Sequence, residues 1–113
     1  FVVARDDVVG FLEEKLALLG LDEREAADFI TYWGPRMRVN EYTLVSFDPG
    51  AYRDAARYTF TADDGSVVEP DTFIRVFMTI SAASADTRVP EQVLDPAPAR
   101  TGFTAVEWGG AEL

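Results

Sequence analysis

Near Asn40 the hydrophobic pattern changes its period, and that change constrains most of what the chain can fold into. Before it, Val8, Leu12, Leu16 and Leu19 recur at helical spacing, with Phe11 and Leu18 widening the stripe. A second stripe follows in Ala26, Phe29, Ile30, Trp33 and Met37. After Asn40 the side chains alternate: Tyr42, Leu44 and Ser46 against Thr43, Val45 and Phe47, then Ile74, Val76, Met78 and Ile80 against Phe73, Arg75, Phe77 and Thr79. Helices first and strands afterwards predict an α+β domain over residues 1–113, with an N-terminal helical hairpin packed on a small, mainly antiparallel sheet of three to five strands.

Punctuation residues set the expected boundaries. Asp6-Asp7 is read as the cap of a helix over about 7–19, which Gly20 stops by adopting a left-handed conformation. Asp22 and Glu25 have the spacing of a capping box for a second helix over about 22–36. Gly34-Pro35 is expected to end or kink it, because proline lacks a donor and crowds the preceding turn. Strands are expected at about 42–47, 72–81 and 102–108, the middle one central because both its faces are apolar. Between them the sequence predicts a turn at Asp48-Pro49-Gly50, a short helix from Ala51 to Arg57 and a hairpin at Asp63 to Ser66 joining Tyr58-Phe60 to Val67-Val68. Glu91-Gln92-Val93-Leu94 reads as a short edge strand.

Composition excludes several chemistries. The 113 residues contain neither cysteine nor histidine, so disulfides, thiol nucleophiles, histidine bases and ordinary zinc sites have no residues to build them. Acid–base chemistry is left to carboxylates, tyrosines and Lys15, or to another chain. A formal charge of −10 repels phosphate backbones and anionic headgroups, so neither nucleic acid nor a membrane surface is an expected partner. No apolar run has the length of a membrane span. The chain opens on Phe1-Val2-Val3 without methionine, and is read as part of a longer precursor.

Arg75 is the first candidate site residue, since a guanidinium between Phe73 and Phe77 on a central strand needs a carboxylate or water. Glu107 is its expected partner across the sheet; the pair is either structural or part of a binding site. Trp108-Gly109-Gly110 reads as a strand end where glycine permits positive φ or close backbone approach beside an aromatic anchor. Too few residues follow it to start a phosphate-binding helix, so no nucleotide cofactor is expected. Tyr32, Trp33 and Tyr42 can line a sugar or peptide groove, with core packing the alternative for Trp33. The acidic doublets Asp6-Asp7, Glu13-Glu14 and Asp63-Asp64 diverge too much to work as catalytic pairs, and Asp63 to Ser66 is too sparse for calcium. No catalytic residue, metal or cofactor is assigned.

The segments Phe29-Ile30-Thr31-Tyr32-Trp33-Gly34-Pro35, Pro70 to Met78, and Gly102-Phe103-Thr104-Ala105-Val106-Glu107-Trp108-Gly109-Gly110 resemble the C-terminal region of a family of uncharacterised bacterial proteins. That family carries Phe-Ile-x-Tyr-Trp-x-Pro on its second helix, Pro-Asp-x-x-x-Arg-Val-Phe-Met on a later strand, and closes with Gly-Phe-Thr-x-Val-Glu-Trp-Gly-Gly. The resemblance spans nearly the whole chain, departing at Gly34 and between Tyr58 and Glu69. It implies an extracytoplasmic setting, secreted or in the cell envelope, and a β-rich segment preceding this region in the precursor. It supplies no reaction.

Three functional readings follow. The first is a non-catalytic interaction or structural domain that docks on a β-rich segment of another polypeptide, possible sources including its own precursor, through open sheet edges and the apolar Phe1-Val2-Val3 lead. The second is a carboxylate-based hydrolase or carbohydrate-active module using Glu107, Arg75 and Tyr32 in a shared cleft. The third is a small acidic inhibitor or immunity-type protein that covers a basic site.

Overall fold

The structure, a computed structural model, describes residues 1–48 and 60–113. Strand β1 (Val2–Ala4) leads through a 3-10 turn at Arg5–Asp7 into helices α1 (Val8–Leu18) and α2 (Glu23–Met37). Strands β2 (Tyr42–Phe47), β3 (Phe60–Thr61), β4 (Val67–Val68), β5 (Thr72–Ala83) and β6 (Thr104–Glu112) follow. The main sheet has the order β1-β2-β5-β6, and β3 and β4 form a separate antiparallel hairpin. The α+β class and the helical hairpin on a mainly antiparallel sheet are therefore observed.

The core lies between the hairpin and one sheet face. Val8, Leu12 and Leu16 of α1 and Phe29, Trp33 and Met37 of α2 meet Val45 and Phe47 of β2 and Ile74, Val76, Met78 and Ile80 of β5, all buried. Both helical stripes thus face the alternating apolar set of the strands. Burying each such large side chain contributes roughly 1.5–3 kcal/mol. The end of α2 is tied to β2 by the buried Thr43, whose Oγ1 donates to the Met37 carbonyl at 3.0 Å.

Local signals at the hairpin turn are realised. Asp22 accepts from the Glu25 amide at 2.8 Å and Glu25 accepts from the Asp22 amide at 2.9 Å, a complete capping box. Gly20 has φ of 103°, and a Cβ there would come within 2.7 Å of the Ala97 Cβ. Glycine therefore meets two demands at once, a left-handed stop for α1 and room for the 84–103 crossover to dock. That docking is fixed by the Ala97 amide donating to the Leu18 carbonyl at 2.9 Å. Arg100 adds a donation to the Gly20 carbonyl at 2.7 Å and an ion pair with Glu25; the charged hydrogen bond to Glu25 holds its guanidinium still more firmly protonated than usual.

Five boundary expectations need correction. Asp7 stands at the start of α1 but makes no side-chain cap, because its own backbone is already helical and preceded by the 3-10 turn. The apolar lead at Phe1–Val3 is used inside the chain, where Val2, Val3 and Ala4 pair with Leu44, Thr43 and Tyr42. Pro35 does not end α2, which runs on to the buried Met37. Glu91–Leu94 is not a strand; the Gln92 side chain donates to the Phe47 carbonyl at 2.6 Å and accepts from its amide at 2.9 Å, one amide standing in for a ladder. Gly109 and Gly110 lie within β6 rather than at its end, and neither has positive φ. The expected Ala51–Arg57 helix falls outside the described residues, as do all but Asp48 of the expected turn and Tyr58 of the hairpin. The described remainder of that hairpin pairs Phe60 with Val68 and Thr61 with Val67.

Candidate site at the β6 edge

β6 is anchored at both ends. Asp71 accepts from the Phe103 amide at 2.8 Å through its carboxylate and donates its own amide to the Phe103 carbonyl at 2.8 Å. At the far end the Leu113 amide donates to the Ile80 carbonyl at 2.8 Å. Between them the ladder with β5 is parallel, from Thr72 opposite Thr104 to Ile80 opposite Glu112.

This register assigns every backbone group of β6 a side. In a parallel ladder alternate residues of one strand make all its bonds to the neighbour. The bonds from Thr72 to Phe103 and from Leu113 to Ile80 put the odd-numbered residues of β6 on the β5 side. The backbone N–H and C=O groups of Val106, Trp108 and Gly110 therefore point away from the sheet, and they have no hydrogen-bond partner among the described residues.

Side chains flank this edge on both faces. On the helix side, Trp108 lies opposite Val76 and packs against Phe29 and Tyr32, with ring centroids 5.1 and 6.2 Å apart. Tyr32 remains 46% exposed and carries the Arg36 guanidinium 3.7 Å above its ring, so an aromatic ledge borders the edge. Gly110 lets the Trp33 ring approach the strand beside this ledge: a Cβ there would sit 2.4 Å from the Met78 carbonyl oxygen and 2.7 Å from the Trp33 ring. The close approach expected of this glycine pair is found, with Trp33 rather than Trp108 as the ring that uses it. Trp33 is a core residue, and its buried Nε1 has no hydrogen-bond partner among the described residues.

On the opposite face Arg75 and Glu107 are register partners, with Arg75 Nε and Nη2 both 3.3 Å from Glu107 Oε2. The Arg75 guanidinium also lies 4.5 Å from the Phe73 ring centroid. Phe73 continues through Phe60 to Phe103 as an edge-on aromatic row. A cleft of about 240 Å³ opens beside Phe60, Phe73, Val106 and Glu107.

The candidate residues thus divide. Arg75, Glu107, Trp108 and Tyr32 gather around the β5–β6 end of the sheet, with Tyr32 and Trp108 on one face and Arg75 and Glu107 on the other. Tyr42 is separate, on β2 between Ala4 and Ala83. Open sheet edges were expected, but not that β6 would supply one, because side-chain alternation does not fix strand order. Asp71 and Arg100 hold the crossover and the start of β6; Asp71 lies in the Pro-Asp motif of the family resemblance but was given no role there, and Arg100 carries no local motif that could have flagged it.

Among the described residues no group of three or more acidic side chains converges as a metal site, and no helix is long and apolar enough to cross a membrane. Comparison with protein families, curated proteins and solved structures finds no match for this chain.

Proposed function

We propose that the chain is a non-catalytic interaction domain that docks on a β-rich segment of another polypeptide by adding one of that segment's strands to the outer edge of β6. The observation that carries this reading is the row of outward backbone groups at Val106, Trp108 and Gly110 with no partner among the described residues. Edge strands are usually blunted by lysine, proline, a bulge or a covering loop. β6, with sequence TAVEWGGAE, contains neither lysine nor proline.

Backbone pairing supplies affinity in strand addition, while pockets for alternate side chains supply specificity. Here the ledge of Tyr32 and Trp108 meets side chains on one face of the incoming strand, and the cleft beside Glu107 meets those on the other. The charge of −10 favours a partner with basic residues over a second copy of this chain. The family resemblance supports an extracytoplasmic partner, either a separate polypeptide or the upstream part of a shared precursor.

The hydrolase reading has weaker support, because Tyr32 lies on the helix side of the sheet while Arg75 and Glu107 bond to each other on the other side. No observation brings the three into one cleft.

The test is peptide selection. Displayed ten-residue peptides would be selected on the wild-type chain and counter-selected on Val106→Pro, which removes an outward donor without removing a bond to β5. Alternating apolar and basic sequences whose affinity falls about tenfold or more on Val106→Pro are expected. Selected peptides that bind both chains equally would refute the reading.

A further inference from the structure

The side of the helical hairpin turned away from the sheet holds a groove of about 610 Å³ between α1 and α2. Its apolar lining is Val9 and Ala17 from α1, Leu21 from the turn, and Ala26, Ala27 and Ile30 from α2, so that three of its six apolar residues are alanine. Val9 is 44% exposed, which leaves a branched side chain at the mouth of a groove lined by three alanines together with Leu21 and Ile30. Small side chains let a third helix approach closely, since interaxial distance is set by the residues at the contact.

The rim has a definite sign. Glu13 borders the groove on α1 and Glu23 borders it at the first turn of α2; both are exposed, and neither forms an ion pair among the described residues. Asp22 differs, sharing Arg100 with Glu25. Carboxylates on both banks of an apolar channel disfavour an acidic occupant. They also disfavour a second copy of this hairpin, which would bring the same carboxylates face to face.

We propose that this groove seats an amphipathic helix of a partner protein, with alanine- or leucine-sized side chains on its inner stripe and lysine or arginine on both flanks. Such a helix lays its apolar face on the groove's alanines, Leu21 and Ile30 and sets its cations against Glu13 and Glu23. The surface is distinct from the β6 edge, and neither site requires the other.

The experiment titrates the whole chain with two synthetic amphipathic helices that share a Leu/Ala stripe, one flanked by lysine and the other by glutamate. Calorimetry and amide chemical shifts give the readout. The lysine-flanked peptide is expected to shift Val9, Ala17, Ala27 and Thr31, and to bind about tenfold or more weakly to a Glu13→Lys, Glu23→Lys double variant. Ala27→Arg, at another exposed groove position, should weaken the same peptide, with unchanged thermal unfolding showing that the fold survives. The proposal is overturned if the lysine-flanked peptide does not bind, if the glutamate-flanked peptide binds as well, or if the shifts fall on β6.

Discussion

Arg75 and Glu107 face each other across the parallel β5–β6 pair, guanidinium to carboxylate at 3.3 Å, with side chains 19% and 22% exposed. They are largely withdrawn from water on the sheet face opposite the helices, where a lone charge is costly and a paired one has modest net worth. Arg75→Met or Glu107→Gln alone should lower unfolding free energy by about 1–2 kcal/mol, and a double-mutant cycle in urea should return a coupling of about 1 kcal/mol. A coupling near zero would mean that the two do not hold the sheet face together.

Gly110 is expected to tolerate no side chain. The Cβ of Gly110→Ala meets backbone on one side and the Trp33 indole on the other, so the strand or the ring must move. Overpacking of this kind costs about 1–3 kcal/mol. Urea unfolding should show that loss together with a shift in tryptophan emission, whereas Gly10→Ala, where a Cβ meets nothing within 4 Å, should cost nothing.

Pro35 occupies the last turns of α2 at an exposed position. It leaves the Thr31 carbonyl without its usual helical donor. Pro35→Ala should therefore stabilise the chain by about 1 kcal/mol, the restored helix bond outweighing the freer unfolded state. A drop in melting temperature would contradict this.

The β3–β4 hairpin carries a pH signature. Asp64 accepts from the Ser66 hydroxyl at 2.6 Å and from the Ser66 amide at 2.9 Å, and these bonds hold its carboxyl below the ordinary aspartate value. A depressed folded pKa means that this contribution is present above the unfolded aspartate value, about 3.9, and is lost as pH falls through the folded one. Carboxyl NMR titration should place Asp64 below the ordinary aspartate value, and Ser66→Ala should raise its midpoint.

How much of this the sequence disclosed follows from what each signal encodes. The stripes of α1 and α2, the capping box at Asp22 and Glu25, and the facing of β2 and β5 were legible because they depend on neighbours a few residues away. The pairing of Arg75 with Glu107 was legible because a guanidinium among phenylalanines demands a carboxylate. Pro35 misled because the burial of Met37 two residues later holds the helix together beyond it. The Glu91–Leu94 segment misled because a glutamine side chain, rather than a strand, makes the contact to Phe47. The direction of β6 was hidden because it depends on a crossover fixed by Gly20, Ala97 and Arg100, and long-range contacts leave no period in a sequence.

Amide hydrogen exchange along β6 in the free chain tests the open edge most directly. Val106, Trp108 and Gly110 should exchange much faster than Ala105, Glu107, Gly109 and Ala111, which donate toward β5, and should become protected when a strand peptide binds. Equal slow exchange at both sets in the free chain would mean that the edge is already covered, and would contradict strand addition at β6.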